Sequence, residues 1–182
     1  HESLLFEVPT LEEMLQLVNG LKQSHGHEMG LYIEIKGAEI YRQYKLDPAK
    51  KLLAILERYD FREASDPVWI QSFNAEVLKT LKHKHKTRIK LSQLIGENRW
   101  RLSSTDFDYL KTEVGLNEVA GYADGIGPWM NHVVTGKNIS GDFKLTGLVK
   151  MAHLLNLKVH PYTLRKDRLP DYAETFEDLL HI

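Results

Sequence analysis

Two ionisable residues set two positions apart in an apolar run give the first chemical lead. Leu31-Tyr32-Ile33-Glu34-Ile35-Lys36 carries one acid and one base. Along a strand, alternation sends Ile33 and Ile35 to one face and Glu34 and Lys36 to the other. If the strand is covered on both sides, an unpaired charge there costs on the order of several kcal/mol, which forces pairing or neutralisation. Two readings stand open. Glu34 and Lys36 form an ordinary salt bridge on an edge strand, or the carboxylate and ammonium converge on one point. The second arrangement suits a divalent metal bound beside a phosphate.

Four further apolar runs carry polar residues in comparable places: Val68–Phe73, Arg88–Ile95, Tyr122–Gly127 and Lys158–Thr163. Gln71 and Phe73 end the first of these, and Gln93 sits late in the second. Asp124 and Gly125 lie in the third, and His160 and Tyr162 in the fourth. Polar groups at the C-terminal ends of successive parallel strands are where a (β/α) barrel assembles its active site. Gln71 either hydrogen-bonds a substrate or a metal-bound water, or is a satisfied amide in barrel packing. Gln93 has the same two readings. Phe73 suits a pocket wall. His160 is either a ligand-facing group or a hydrogen-bonded core histidine, and Tyr162 reads as a wall residue. Trp69, Trp100 and Trp129 read as packing or as pocket rim.

Helical signals between these runs have good start chemistry. Thr10-Leu11-Glu12-Glu13 reads as a capping box, followed by Leu11, Met14, Leu15, Val18 and Leu21 at helical spacing. Asp47-Pro48 is a second start, with the acid as cap and proline at the first helical position. Asn74 and Thr146 are placed to cap two more. Strand–helix alternation predicts a parallel sheet covered by helices. An open doubly wound sheet is the alternative, but no Gly-rich phosphate loop follows any strand.

Composition bounds the function. At 182 residues the chain suffices for one sizeable domain, and its net charge of -1 creates no overall field to recruit nucleic acid. Cysteine is absent, which excludes disulfides, thiolate catalysis and thiolate metal ligands. No apolar run approaches the ~20 residues of a membrane span. The basic run Lys79–Lys90 reads as the solvated end of a helix, where cations complement the dipole, rather than as a nucleic-acid contact. His25 and His27, in a loop without further ligands, make a poor metal site.

The ordered set of motifs resembles one family. Val8-Pro9-Thr10-Leu11-Glu12-Glu13, Gly30 to Lys36, Ile70-Gln71-Ser72-Phe73, Tyr122 to Pro128, Lys144-Leu145-Thr146-Gly147, Val159-His160-Pro161-Tyr162-Thr163 and Arg165 to Pro170 together are similar to the glycerophosphodiester phosphodiesterases. The likeness is greatest to the bacterial periplasmic type. The resemblance implies a TIM (β/α)8 barrel. It also implies metal-dependent hydrolysis of glycerophosphodiesters to an alcohol and glycerol 3-phosphate, with calcium favoured over magnesium, in a periplasmic or secreted setting. It makes Glu34 a metal ligand and Lys36 a catalytic cation on the phosphate side. Gln71, Phe73, Gln93, His160 and Tyr162 become substrate-facing candidates.

The sequence also departs from the family. The His-Arg-Gly strand, the Glu-x-Asp pair and the following His-Asp are absent, as is the Thr-Asp-x-Pro of the last strand. Residues 1–182 therefore read as a single incomplete barrel of about five parallel strands, roughly the third to the seventh. Leu31–Lys36 and Lys158–Thr163 are expected to form open edges able to pair with another segment or chain. The rival reading is a non-catalytic barrel piece, a binding or structural protein that keeps the scaffold without the chemistry.

Overall fold

The computed structural model describes residues 7–180 and residue 182. The chain opens with α1 (Leu11–His25), then β1 (Leu31–Glu34), α2 (Ala38–Gln43), α3 (Pro48–Arg58) and β2 (Val68–Ser72). Next come α4 (Ala75–Lys79), which runs into a π-helical turn over Thr80–Lys84, and β3 (Lys90–Ile95). Then follow α5 (Phe107–Leu110), α6 (Glu113–Ala120) and β4 (Gly125–Pro128). β5 (Val134–Lys137), β6 (Phe143–Leu145), α7 (Leu148–Leu154), β7 (Lys158–Val159) and α8 (Phe176–Leu179) complete it.

β1, β2, β3, β4 and β7 form one sheet in that order, and every neighbouring pair is parallel. This is the α/β arrangement expected of part of a (β/α) barrel, and all five anticipated runs supply a strand. The last run, Lys158–Thr163, is only two residues of regular strand. Pro161 has no N–H to give, yet the ladder continues around it: the His160 N–H donates to the Ile126 carbonyl (2.9 Å) and the Tyr162 N–H to the Pro128 carbonyl (3.0 Å). β5 and β6 pair antiparallel in a separate hairpin that the sequence reading did not anticipate.

Three of the four proposed caps are present. Thr10 and Glu13 close a full capping box on α1, Asp47 accepts from the Lys50 N–H with Pro48 at the first helical position, and Asn74 accepts from the Val77 N–H. Thr146 is the exception. Its hydroxyl donates to the His132 carbonyl (2.6 Å), and Gly147 takes the cap position of α7. Thr146 thus ties the hairpin to the helix start. The basic run ends a helix as expected. Lys79 pairs with Glu76 (3.1 Å) and Glu118 (2.8 Å), and His85 with Asp47 (3.2 Å).

Strand parity divides the sheet into two chemically different faces. Val68, Ile70, Leu91, Ile95 and Ile126 point into the helix layer, where they are buried with Leu56, Leu78 and Leu116. The opposite, concave face carries Tyr32, Glu34, Trp69, Gln71, Ser92, Gly125 and Gly127, which share that parity in the observed registers. The apolar core thus forms on the helix side, and the concave side is left to present functional groups. β4 contributes glycines there because its neighbours cross closely. A Cβ on Gly125 would lie 2.8 Å from the Lys158 carbonyl oxygen, and one on Gly127 only 2.6 Å from a Leu94 methyl.

Candidate functional site at the concave face

Glu34, Lys36, Gln71, Phe73, His160 and Tyr162 line one cleft of about 750 Å³. β1, β2 and β3 reach it, and the segment after β7 completes its wall. Glu34 ends β1 with its side chain about one-fifth exposed, and its Oε2 lies 3.3 Å from the Lys36 Nζ. Lys36 lies beyond the last strand residue and its side chain is 79% exposed. The first reading of the pair, a salt bridge on an edge strand, is what the structure shows. The ion pair forms, and it forms at the mouth of a cleft. So exposed an ammonium is held weakly and can turn toward an incoming anion.

Also lining the cleft, the Tyr32 hydroxyl lies 2.8 Å from His160 Nδ1. Burial pushes the tyrosine pKa up, so the phenol keeps its proton. Burial, aided by the charge of Lys158, holds the histidine below its ordinary value. A protonated phenol beside a neutral imidazole makes Tyr32 the donor and Nδ1 the acceptor, which leaves the ring proton on Nε2. Trp69 packs edge-on to the same imidazole, with ring centroids 4.8 Å apart. His160 is therefore both a hydrogen-bonded histidine and a cleft-facing one.

Tyr162 donates to the Ile95 carbonyl (3.0 Å), and its ring meets Phe73 edge-on at 5.8 Å. Burial, and then the charges of Glu34 and Glu97, push its phenol far above the ordinary range. It stays protonated as a wall, and Phe73 stands beside it, backed by Phe107 at 5.9 Å.

Gln93 requires a correction. It does not face the cleft. Its parity on β3 matches Leu91 and Ile95, so it enters the helix layer, where it is fully buried. Its amide nitrogen donates to the carbonyls of Leu94 (2.8 Å), Ser72 and Phe73 (both 3.3 Å), and its oxygen accepts from the Tyr122 hydroxyl (2.9 Å). Gln93 is a structural amide that binds β2, β3 and the end of α6 together. Gln93→Leu should therefore lower unfolding stability by about 3 kcal/mol, because it strands buried polar partners. Urea denaturation monitored by circular dichroism reads this directly. A substrate-contacting residue would instead leave the urea midpoint unchanged.

Asp124 is likewise misplaced by the sequence reading. The strand begins at Gly125, so Asp124 lies at its N-terminal end, away from the mouth. It accepts from the Leu91 N–H (2.9 Å) and pins the base of β3. Tyr32, Leu94, Pro161 and Thr163 line the cleft without a role expected from the sequence, and Trp69, read as packing or pocket rim, is a lining residue whose ring meets His160. The parity of Glu34 was the available signal for Tyr32, and the β1–β2 register pairs Tyr32 with Trp69.

As an oxygen donor for a metal, Glu34 suits calcium or magnesium in type, and the Gln71 amide oxygen is of the same hard class. In number the donors fall short. Among the described residues no group of three histidines or carboxylates converges, whereas calcium takes ~6–8 oxygens.

The profile of the "Glycerophosphoryl diester phosphodiesterase family" matches residues 1–180. A "Glycerophosphodiester phosphodiesterase" of Treponema pallidum is 30% identical over 97% of this chain and 54% of its own length. One of Haemophilus influenzae is 31% identical over 92% of this chain and 50% of its own length. An Arabidopsis thaliana protein of the same description is 29% identical over 76% of this chain and 40% of its own. The chain thus spans about half the length of the bacterial relatives it matches.

Proposed function

Since the chain belongs to the glycerophosphoryl diester phosphodiesterase family, we propose that it supplies one side of a glycerophosphodiester-hydrolysing active site. The carrying observation is the Glu34–Lys36 pair at the C-terminal end of β1, poised over a cleft walled by Phe73 and Tyr162. The products of the proposed reaction are an alcohol and glycerol 3-phosphate.

In this reading Glu34 occupies one ligand position of a divalent-cation site, with calcium favoured over magnesium. The remaining ligands come from outside the described residues. When bound, the cation would offset charge on the phosphoryl oxygens. This chain's own groups have separate tasks. Lys36 swings from Glu34 to a non-bridging phosphoryl oxygen and neutralises developing charge there. Gln71 orients the phosphate or a water by hydrogen bonding, and His160 offers its Nε2–H to an oxygen of the substrate. Phe73 and Tyr162 keep bulk water from one flank. Among the described residues the cleft offers one imidazole, His160, whose Nδ1 is taken up by the Tyr32 hydroxyl and whose Nε2 carries the proton, which makes it a hydrogen-bond donor rather than a base. Proton transfer is assigned to groups outside the described residues. A periplasmic or secreted location is part of the same proposal.

The test is release of glycerol 3-phosphate from glycerophosphocholine, with calcium or magnesium added and then removed by chelation. It is run on the protein that carries residues 1–182 in their natural context. Cation-dependent release supports the reading, and absence of release from every glycerophosphodiester overturns it. Among the described residues no helix is long and apolar enough to cross a membrane.

A further inference from the structure

One hydrogen bond crosses the whole concave face. Tyr32 belongs to β1 and His160 follows β7, the two outer strands of the sheet. They stand 128 positions apart in the chain, yet the sheet curls far enough to bring the Tyr32 hydroxyl within 2.8 Å of His160 Nδ1. A phenol carries no charge for a cation or a phosphate at neutral pH, so Tyr32 lines the cleft for another reason.

The imidazole is held from several sides. The His160 N–H is fixed on the Ile126 carbonyl, and the following Pro161 restricts its backbone. Trp69 meets the imidazole edge-on at 4.8 Å and stacks on Tyr32 at 6.1 Å with 26° between planes, so phenol and imidazole share one indole as a wall. Gly125 makes room for that indole, since a Cβ there would lie 3.3 Å from its ring. With Nδ1 taken by Tyr32, Nε2 is the polar edge of the ring left to the cleft.

Ser92 adds an independent observation. It is fully buried on the concave side of β3, and its Oγ has no hydrogen-bond partner among the described residues. A buried hydroxyl left so needs a reason. Burial raises the Tyr32 phenol, and Ser92 is the group that acts on it in the other direction. Once the phenol proton goes to Nδ1, the Tyr32 oxygen has lone pairs free to accept from the serine, which directs that proton toward His160. We propose that Tyr32, backed by Ser92, is a positioning residue: by occupying Nδ1 it aims the Nε2–H of His160 at a phosphoryl oxygen of the bound diester. This rests on the phosphodiesterase reading and goes beyond it, because the donor geometry is assigned to two side chains that act through His160.

Tyr32→Phe tests it in the protein carrying this chain in its natural context, since it keeps the ring on Trp69 and removes only the donor. Nitrogen NMR of His160 reads the effect without turnover. The parent should carry its ring proton on Nε2 alone, and the variant should mix the two tautomers. Ser92→Ala, which removes a hydroxyl and leaves the ring contacts, should move the tautomers the same way by less. A proton on Nδ1 in the parent, or an unchanged tautomer in Tyr32→Phe, overturns the proposal. With glycerophosphocholine, Tyr32→Phe should lower kcat/KM by about tenfold, and adding it to His160→Ala should cost nothing further. Additive losses would show that Tyr32 acts apart from His160, and overturn it as well. If the parent protein hydrolyses no glycerophosphodiester, the phosphodiesterase reading falls instead. The positioning is then read with glycerol 3-phosphate, which should shift the Nε2 signal in the parent and far less in Tyr32→Phe, and equal shifts refute it.

Discussion

Glu34→Ala, made where this chain works in its natural context, should lower phosphodiester turnover by about a thousandfold and weaken calcium binding together with it. The two losses are expected to move together because one oxygen pair serves both. Glu34 is the carboxylate at the end of β1, mostly shielded, and its recorded ion-pair partner is the flexible Lys36. Lys36→Ala separates the roles. It removes a cation that is 79% exposed and whose proposed partner is the phosphate, so turnover should fall by about a hundredfold while calcium affinity stays near its starting value. Calorimetric titration with calcium beside a steady-state assay reads both quantities. Near-normal cation-dependent turnover in Glu34→Ala would refute the assignment. If Glu34 were only the partner in a surface salt bridge, each variant would change stability by less than about 1 kcal/mol and turnover hardly at all.

Most of this site could be read from strand parity, and the errors mark where parity was not applied. Glu34 and Lys36 stood out because two charges in an apolar run need a reason. Gln71, Phe73, His160 and Tyr162 follow from the same alternation, and all of them line the cleft. Gln93 was chosen for its residue type and its place late in a strand. Its neighbours Leu91 and Ile95 already pointed to the helix layer, and a buried amide between two strands is held by backbone carbonyls rather than by a ligand. Asp124 failed for a boundary reason, since the start of β4 was set three residues too early.

The order and direction of the five strands were legible because each apolar run alternated with a capped helix. The β5–β6 hairpin was not. Val134–Lys137 and Phe143–Leu145 are short and largely exposed, with one positive-φ glycine, Gly136, inside the first strand and another, Gly141, in the connection, so hydrophobic periodicity has little to register. The Tyr32–His160 contact escaped notice for a different reason. The two residues lie 128 positions apart, and no local spacing brings them together. Only the curl of the parallel sheet, which turns its two outer strands toward each other, does so.

Residues 1–182 by themselves should show no useful glycerophosphodiester hydrolysis, even with saturating calcium. Two independent deficits act. The described residues bring one carboxylate to the cleft and no cluster able to hold the cation, so occupancy is low at ordinary concentrations. The one imidazole that the described residues bring to the cleft has its Nδ1 taken up by Tyr32, so general acid–base catalysis, typically ~10²–10⁴-fold for each group, is missing as well. Because the deficits multiply, the shortfall against the protein in its natural context should exceed about 10⁴-fold. The same chain leaves one side of β1 and one side of β7 unpaired in the described sheet. Rows of free N–H and carbonyl groups on such edges recruit further strands. The concave face adds to this tendency, with Tyr32 still 41% exposed on it. Light scattering of the purified chain should therefore show association that grows with concentration. A monodisperse, fully active monomer would refute both halves of the expectation, and would place the acid–base chemistry on residues assigned here to packing.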